Sequence, residues 1–142
     1  MHYRQVNDRP STFVVVLEPG EEAMSTLTAF AREQALNASQ ITAIGAFERL
    51  VLGYFDREQR DYQPIPIEEQ VEVLSLIGDI VGEGDDLEAH VHVVVGRRDG
   101  SAHGGHLMEA VVWPTLEVVI TETPTHLRRR FDRETGVALI VT

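Results

Sequence analysis

The chain has 142 residues, 43% of them hydrophobic, and a formal net charge of -11, which is enough chain for one domain with a buried core. It has no cysteine, and all twelve basic residues are arginine. Disulfides, thiolate ligands, thiol nucleophiles, lysine Schiff bases and a phosphate-loop lysine are therefore excluded. The acidic balance opposes binding to a polyphosphate backbone unless one face is locally basic. No apolar run approaches the ~18 residues of a membrane span. Residues 1–8 lack the apolar core of a signal peptide, so the expected setting is cytoplasmic.

In chain order, residues 11–17 (Ser-Thr-Phe-Val-Val-Val-Leu) are β-branched and short, and predict a strand. Pro19-Gly20 turns the chain, and Glu21 and Glu22 place acids in what would be the first turn of a helix. Ala23, Leu27, Phe30, Ala31 and Ala35 recur at helical spacing up to about Asn37. Residues 40–55 predict a second strand region, with Gly45 and Gly53 marking bulges or close backbone approaches. Residues 62–66, with Pro64 and Pro66, predict an extended loop or edge segment. Beyond them the chain is nearly all strand, at residues 71–81, 90–95, 105–112, 116–121 and 137–141. The intervening turn signals are Gly82-Glu83-Gly84-Asp85, Asp99-Gly100, Trp113-Pro114 and Thr135-Gly136. The expected class is α+β, a single domain over residues 1–142 with a mostly antiparallel sheet and one main helix packed on it.

The chemistry-bearing residues lie in the second half. His90 and His92 alternate along one predicted strand and so project from the same face. The turn at Arg98-Asp99-Gly100 sends the chain back antiparallel, which lets His106 reach that face. Three imidazoles without a fourth protein ligand describe an open divalent metal site, since closed structural sites use four. The alternative is a pair of polar positions on a wet sheet face. Gly104 and Gly105 before His106 point to tight backbone packing there. His103 is expected to be a bystander in the turn, and His2 and His126 are expected to be surface residues. The cluster Arg128-Arg129-Arg130 reads as a solvated face or as partners for Asp132 and Glu134, rather than a nucleic-acid patch.

Several segments together resemble the plant-and-prokaryote conserved (PPC) domain family. They are His90-Val91-His92-Val93, Asp99-Gly100, Gly104-Gly105-His106-Leu107 and the run from Pro114 to Ile120. Upstream, Ile44-Gly45-Ala46-Phe47, Leu52-Gly53-Tyr54-Phe55-Asp56 and the run from Glu72 to Gly78 match as well, so the likeness covers nearly the whole chain. The resemblance implies a compact α+β domain that forms a homotrimer, with a metal, zinc by choice, on His90, His92 and His106. Plant members join this domain to an Arg-Gly-Arg-centred minor-groove element, and no Arg-Gly-Arg occurs here. The plant hallmark Gly-Arg-Phe-Glu-Ile-Leu stands here as Glu69-Gln70-Val71-Glu72-Val73-Leu74, without its glycine and arginine. DNA binding is then implied by the family's naming alone.

A three-histidine site on such a sheet also resembles zinc enzymes such as acetolactate decarboxylase, which implies a metal-dependent hydrolase or lyase acting on a small polar metabolite. Glu117 is then the candidate acid or base by the family pattern, and Glu109 the alternative. Either glutamate can equally be a solvent-facing strand position or a partner holding a histidine N–H. Ser75 and Ser101 sit in no nucleophile elbow. Trp113, Phe47, Tyr54 and Phe55 read as packing or subunit-contact residues.

Overall fold

The computed structural model describes residues 1–82, 84–123 and 128–141. His126 and Glu83, both noted above, lie outside the described residues. Strands β1 (His2–Asp8) and β2 (Ser11–Leu17) form an antiparallel hairpin. In β2 the apolar alternation turns Phe13, Val15 and Leu17 inward, as its β-branched pattern demands. The polar β1 gives no such pattern. It is an edge strand held by the ladder and by Tyr3, whose ring meets those of Phe13 and Phe30 at 6.2 and 4.9 Å.

Helix α1 (Ala23–Glu33) buries Ala23, Leu27, Phe30 and Ala31. Glu22 does not sit in its first turn as expected; it is the N-cap. Its carboxylate accepts from the backbone N–H of Met24 at 3.1 Å and of Ser25 at 2.7 Å, satisfying donors that the helix leaves open. The helix stops short of Asn37, because the chain takes a left-handed φ of 54° at Ala35 and turns away.

The remaining strands are β3 (Ala38–Asp56), β4 (Asp61–Ile67), β5 (Val71–Val81), β6 (Glu88–Gly96), β7 (Ala102–Glu122), β8 (Arg128–Phe131) and β9 (Ala138–Val141), with a 3-10 turn at Gly84–Asp86. Seven strands pair in the order β1-β2-β7-β6-β5-β3-β4, and β8 pairs with β9 separately. Every pairing is antiparallel. Because β7 also pairs with β3, the path β3–β5–β6–β7 closes on itself into a ring. The helix and the inward sides of these strands share one core that includes Phe30, Phe47, Val93, Leu107 and Ile120.

The two runs expected on either side of Trp113-Pro114 are one strand. Between Val112, opposite Phe47, and Leu116, opposite Gly45, β7 carries three residues against one on β3. That bulge accommodates a proline, which has no N–H to give the ladder. Gly45 makes room for it, since a Cβ there would lie 2.3 Å from the Thr115 carbonyl oxygen. Residues 62–66 do form an edge strand, β4, where Pro64 and Pro66 are tolerated. Among the described residues no helix is long and apolar enough to cross a membrane.

Candidate metal centre

Along β6 the side chains of Val91, Val93 and Val95 enter the core, so His90, His92 and Val94 must face outward. The β6–β7 ladder sets His92 directly opposite His106. The three rings meet with centroids 5.2, 5.2 and 5.5 Å apart. One ring nitrogen from each lies within 4.8 Å of the others. The Nε2 atoms of His90 and His92 are 3.3 Å apart. Two imidazoles on one tetrahedral zinc, with Zn–N of ~2.05 Å, place their nitrogens about 3.3 Å apart. The spacing of this pair already matches that of two ligands on one divalent ion. His103 sits within β7 opposite Val95, not in a turn, and takes no part in the cluster.

The surroundings favour the neutral form of His106 and His90. His106 stacks on Tyr62, with centroids 4.5 Å apart and planes 24° from parallel. Burial pushes its pKa down to about 4, with His90 and His92 adding to the effect. Its Nδ1 is buried and has no hydrogen-bond partner among the described residues. Burial also lowers the pKa of His90, helped by the neighbouring Arg129 guanidinium. A metal needs a neutral imidazole whose lone pair lies on the nitrogen that faces the ion. The backbone is equally tight: a Cβ at Gly78 would lie 2.2 Å from the His90 carbonyl oxygen, so β5 and β6 approach closely just where His90 is held.

Arg129 is the largest departure from the sequence expectation. It does not pair with Asp132 or Glu134. Its side chain is only 12% exposed. Nη2 donates to Asp79 Oδ1 at 2.6 Å and contacts His90 Nδ1 at 3.0 Å, while Nη1 donates to the Ala138 carbonyl at 3.0 Å. Asp132 instead accepts from the backbone N–H of Thr135 at 2.9 Å. Sequence reasoning also passed over Asp79 and Tyr62. Asp79 was findable in principle, since the β5–β6 register puts it opposite His90.

Strands β8 and β9 wall a cavity of about 580 Å³ above the sheet. His90, His106 and Arg129 line it together with Phe55, Tyr62 and Phe131. Asp61, Asp79 and Glu88 are the carboxylates on its wall. Glu117 lies elsewhere, in a shallow groove on the outer face of the sheet beside Ile44, Leu74, Ile77 and Val119. Glu109, opposite Val51, does not line the cavity either. Of the sequence candidates, the fold brings His90, His92 and His106 together and leaves both glutamates apart.

No curated protein sequence matches the chain. Solved structures do. A Bacteroides thetaiotaomicron protein with a provisional DNA-binding name is 26% identical, with a TM-score of 0.92 over 99% of this chain and 96% of that one. A metal-containing protein from Archaeoglobus fulgidus is 30% identical, with a TM-score of 0.85 over 99% and 97%. A Staphylococcus aureus protein of unknown function, itself described as similar to α-acetolactate decarboxylase, shares the fold alone: 14% identity and a TM-score of 0.58 over 87% of this chain and 54% of that one. The sequence profile of one family matches residues 4–124, and the chain belongs to it: the Plants and Prokaryotes Conserved (PCC) domain.

Proposed function

We propose that the protein binds a divalent cation, zinc by its all-imidazole ligand set, on His90, His92 and His106, and that it works as a homotrimer of a single 142-residue domain in the cytoplasm. The 3.3 Å spacing of two Nε2 atoms beside a third neutral imidazole carries this reading. The description of the Archaeoglobus relative as metal-containing supports a bound metal. With three protein ligands the bound ion keeps an open position, where it would polarise a carbonyl or lower the pKa of a water towards ~7.

The cavity favours a second step, metal-dependent hydrolysis or lyase chemistry on a small polar molecule. It is concave, has aromatic walls and reaches His90 and His106. Its carboxylates are Asp61, Asp79 and Glu88. Glu117 can serve as an acid or base only if the trimer brings it to a neighbour's centre. A DNA-binding role draws support from a relative's name alone; the net charge of -11 works against it, and Arg129 is turned inward.

The test is metal analysis of untagged protein beside a His92→Ala variant. Near-stoichiometric zinc that disappears in the variant is the expected result. A protein that is purified without metal and takes up no added zinc removes both the metal site and the enzyme built on it.

A further inference from the structure

An arginine side chain carries N–H donors and no acceptor. The 3.0 Å contact between Arg129 Nη2 and His90 Nδ1 therefore requires a lone pair on Nδ1. In neutral His90 the ring proton must then sit on Nε2, the nitrogen that faces His92 Nε2. A metal held between those two nitrogens needs the opposite tautomer, with the Nε2 lone pair free and the proton on Nδ1. That proton would point at the guanidinium, donor against donor. Arg129 in its present position and a metal on His90 Nε2 exclude one another.

Asp79 offers the way out. It stands opposite His90 in the β5–β6 ladder, and its Oδ1 is 2.6 Å from the same Nη2 that contacts His90. A carboxylate accepts where a guanidinium can only donate. Resting on the metal reading above, we infer that Asp79 positions His90 in the metal-bound protein, and that Arg129 is a latch competing with the metal for His90, so that filling the centre releases the β8–β9 hairpin. The hairpin has little else of this kind to hold it: among the described residues, Arg60 Nη1 donating to the Arg133 carbonyl at 3.2 Å is the other side-chain hydrogen bond between it and the rest of the domain. The same hairpin walls the cavity, so release also widens access to the metal. Coupling is reciprocal, and the latch must weaken metal binding by the factor that metal weakens the latch.

Nitrogen-15 NMR of the imidazoles in the metal-free wild type reads the latch directly. The expected tautomer of His90 is Nε2–H, changing to Nδ1–H when zinc is added. Backbone hydrogen exchange in residues 128–141 should become faster with zinc. Arg129→Met should tighten zinc binding about tenfold, and Asp79→Leu should weaken it about 10–100-fold, the range for partners of metal-bound histidines. Asp79→Asn keeps an acceptor oxygen without the charge and should recover most of the affinity lost in Asp79→Leu; equal losses would make Asp79 a mere counter-charge and overturn its positioning role. A metal-free His90 found as Nδ1–H, or zinc binding that leaves hairpin exchange unchanged or slower, overturns the latch and leaves the metal site standing. Failure of every variant and of the wild type to take up zinc overturns both.

Discussion

His106 is the most constrained ring of the trio, pressed against Tyr62 and pushed down to about 4 by burial. An unfolded chain would hold that proton with a pKa of ~6.5. The unfolded state thus binds more protons between these values, and stability rises with pH across the interval. What His106 contributes is complete above ~6.5 and is lost as pH falls towards about 4; the lowered pKa of His90 acts in the same direction. The depressed carboxylates, Glu18, Glu22, Asp99 and Asp132, lose their contribution as pH falls through and below unfolded values of 4.5 for the glutamates and 3.8 for the aspartates. The window from pH 7 to pH 5 therefore reports the histidines. Urea unfolding of the metal-free protein should show a lower midpoint at pH 5 than at pH 7, and a His106→Phe variant, which keeps the stack on Tyr62, should show a smaller difference. An equal loss in both proteins would mean that His106 titrates normally.

Among the elements, the β5–β6 pair sets the position of the site, and Gly78 is the point at which it can be disturbed. A methyl group there would meet the His90 carbonyl oxygen at 2.2 Å, against backbone that cannot rotate away. Gly78→Ala should cost about 1–3 kcal/mol, as overpacking does, and should weaken zinc binding by shifting His90 away from His92. Thermal melting and a zinc titration check the two halves separately; wild-type values in both would show that the ladder yields there freely. The elements also show what the sequence made legible. Periods of two and 3.6 exposed β2, β6 and α1, because each buries one face against the core. The same alternation placed His90 and His92 together, and the turn at Asp99-Gly100 brought His106 opposite. Strand β1 was hidden because an edge strand of polar residues has no buried face to mark it. The continuity of β7 was hidden because Pro114 reads as a break unless the opposing strand is known to supply a bulge. Arg129 could not be found locally at all, since its partners Asp79 and His90 lie 50 and 39 residues away in the chain.

At the scale of the whole molecule, the outer face of the β3–β5–β7 region is unusually apolar for a surface. Ile44 is 60% exposed, Ile77 57% and Leu74 55%, and Val119 and Val94 are exposed beside them. Contiguous apolar surface of this kind marks a site of association, and it is the face on which the proposed trimer would close. The registers Val119–Thr42, Thr42–Ile77 and Ile77–His92 carry that face across the strands to the edge of the histidine cluster. The three histidines nevertheless all come from one chain, so the centre should outlive the assembly. Sedimentation of the wild type should give about 48 kDa, three chains of 15.9 kDa each. Leu74→Arg, which puts a charge where the subunits would bury apolar surface, should bring the mass to that of one chain and leave zinc binding within a few-fold of wild type. A monomer that no longer binds zinc would show that a neighbouring subunit completes the site, and Glu117, which shares its groove with Leu74, would then be the first residue to substitute.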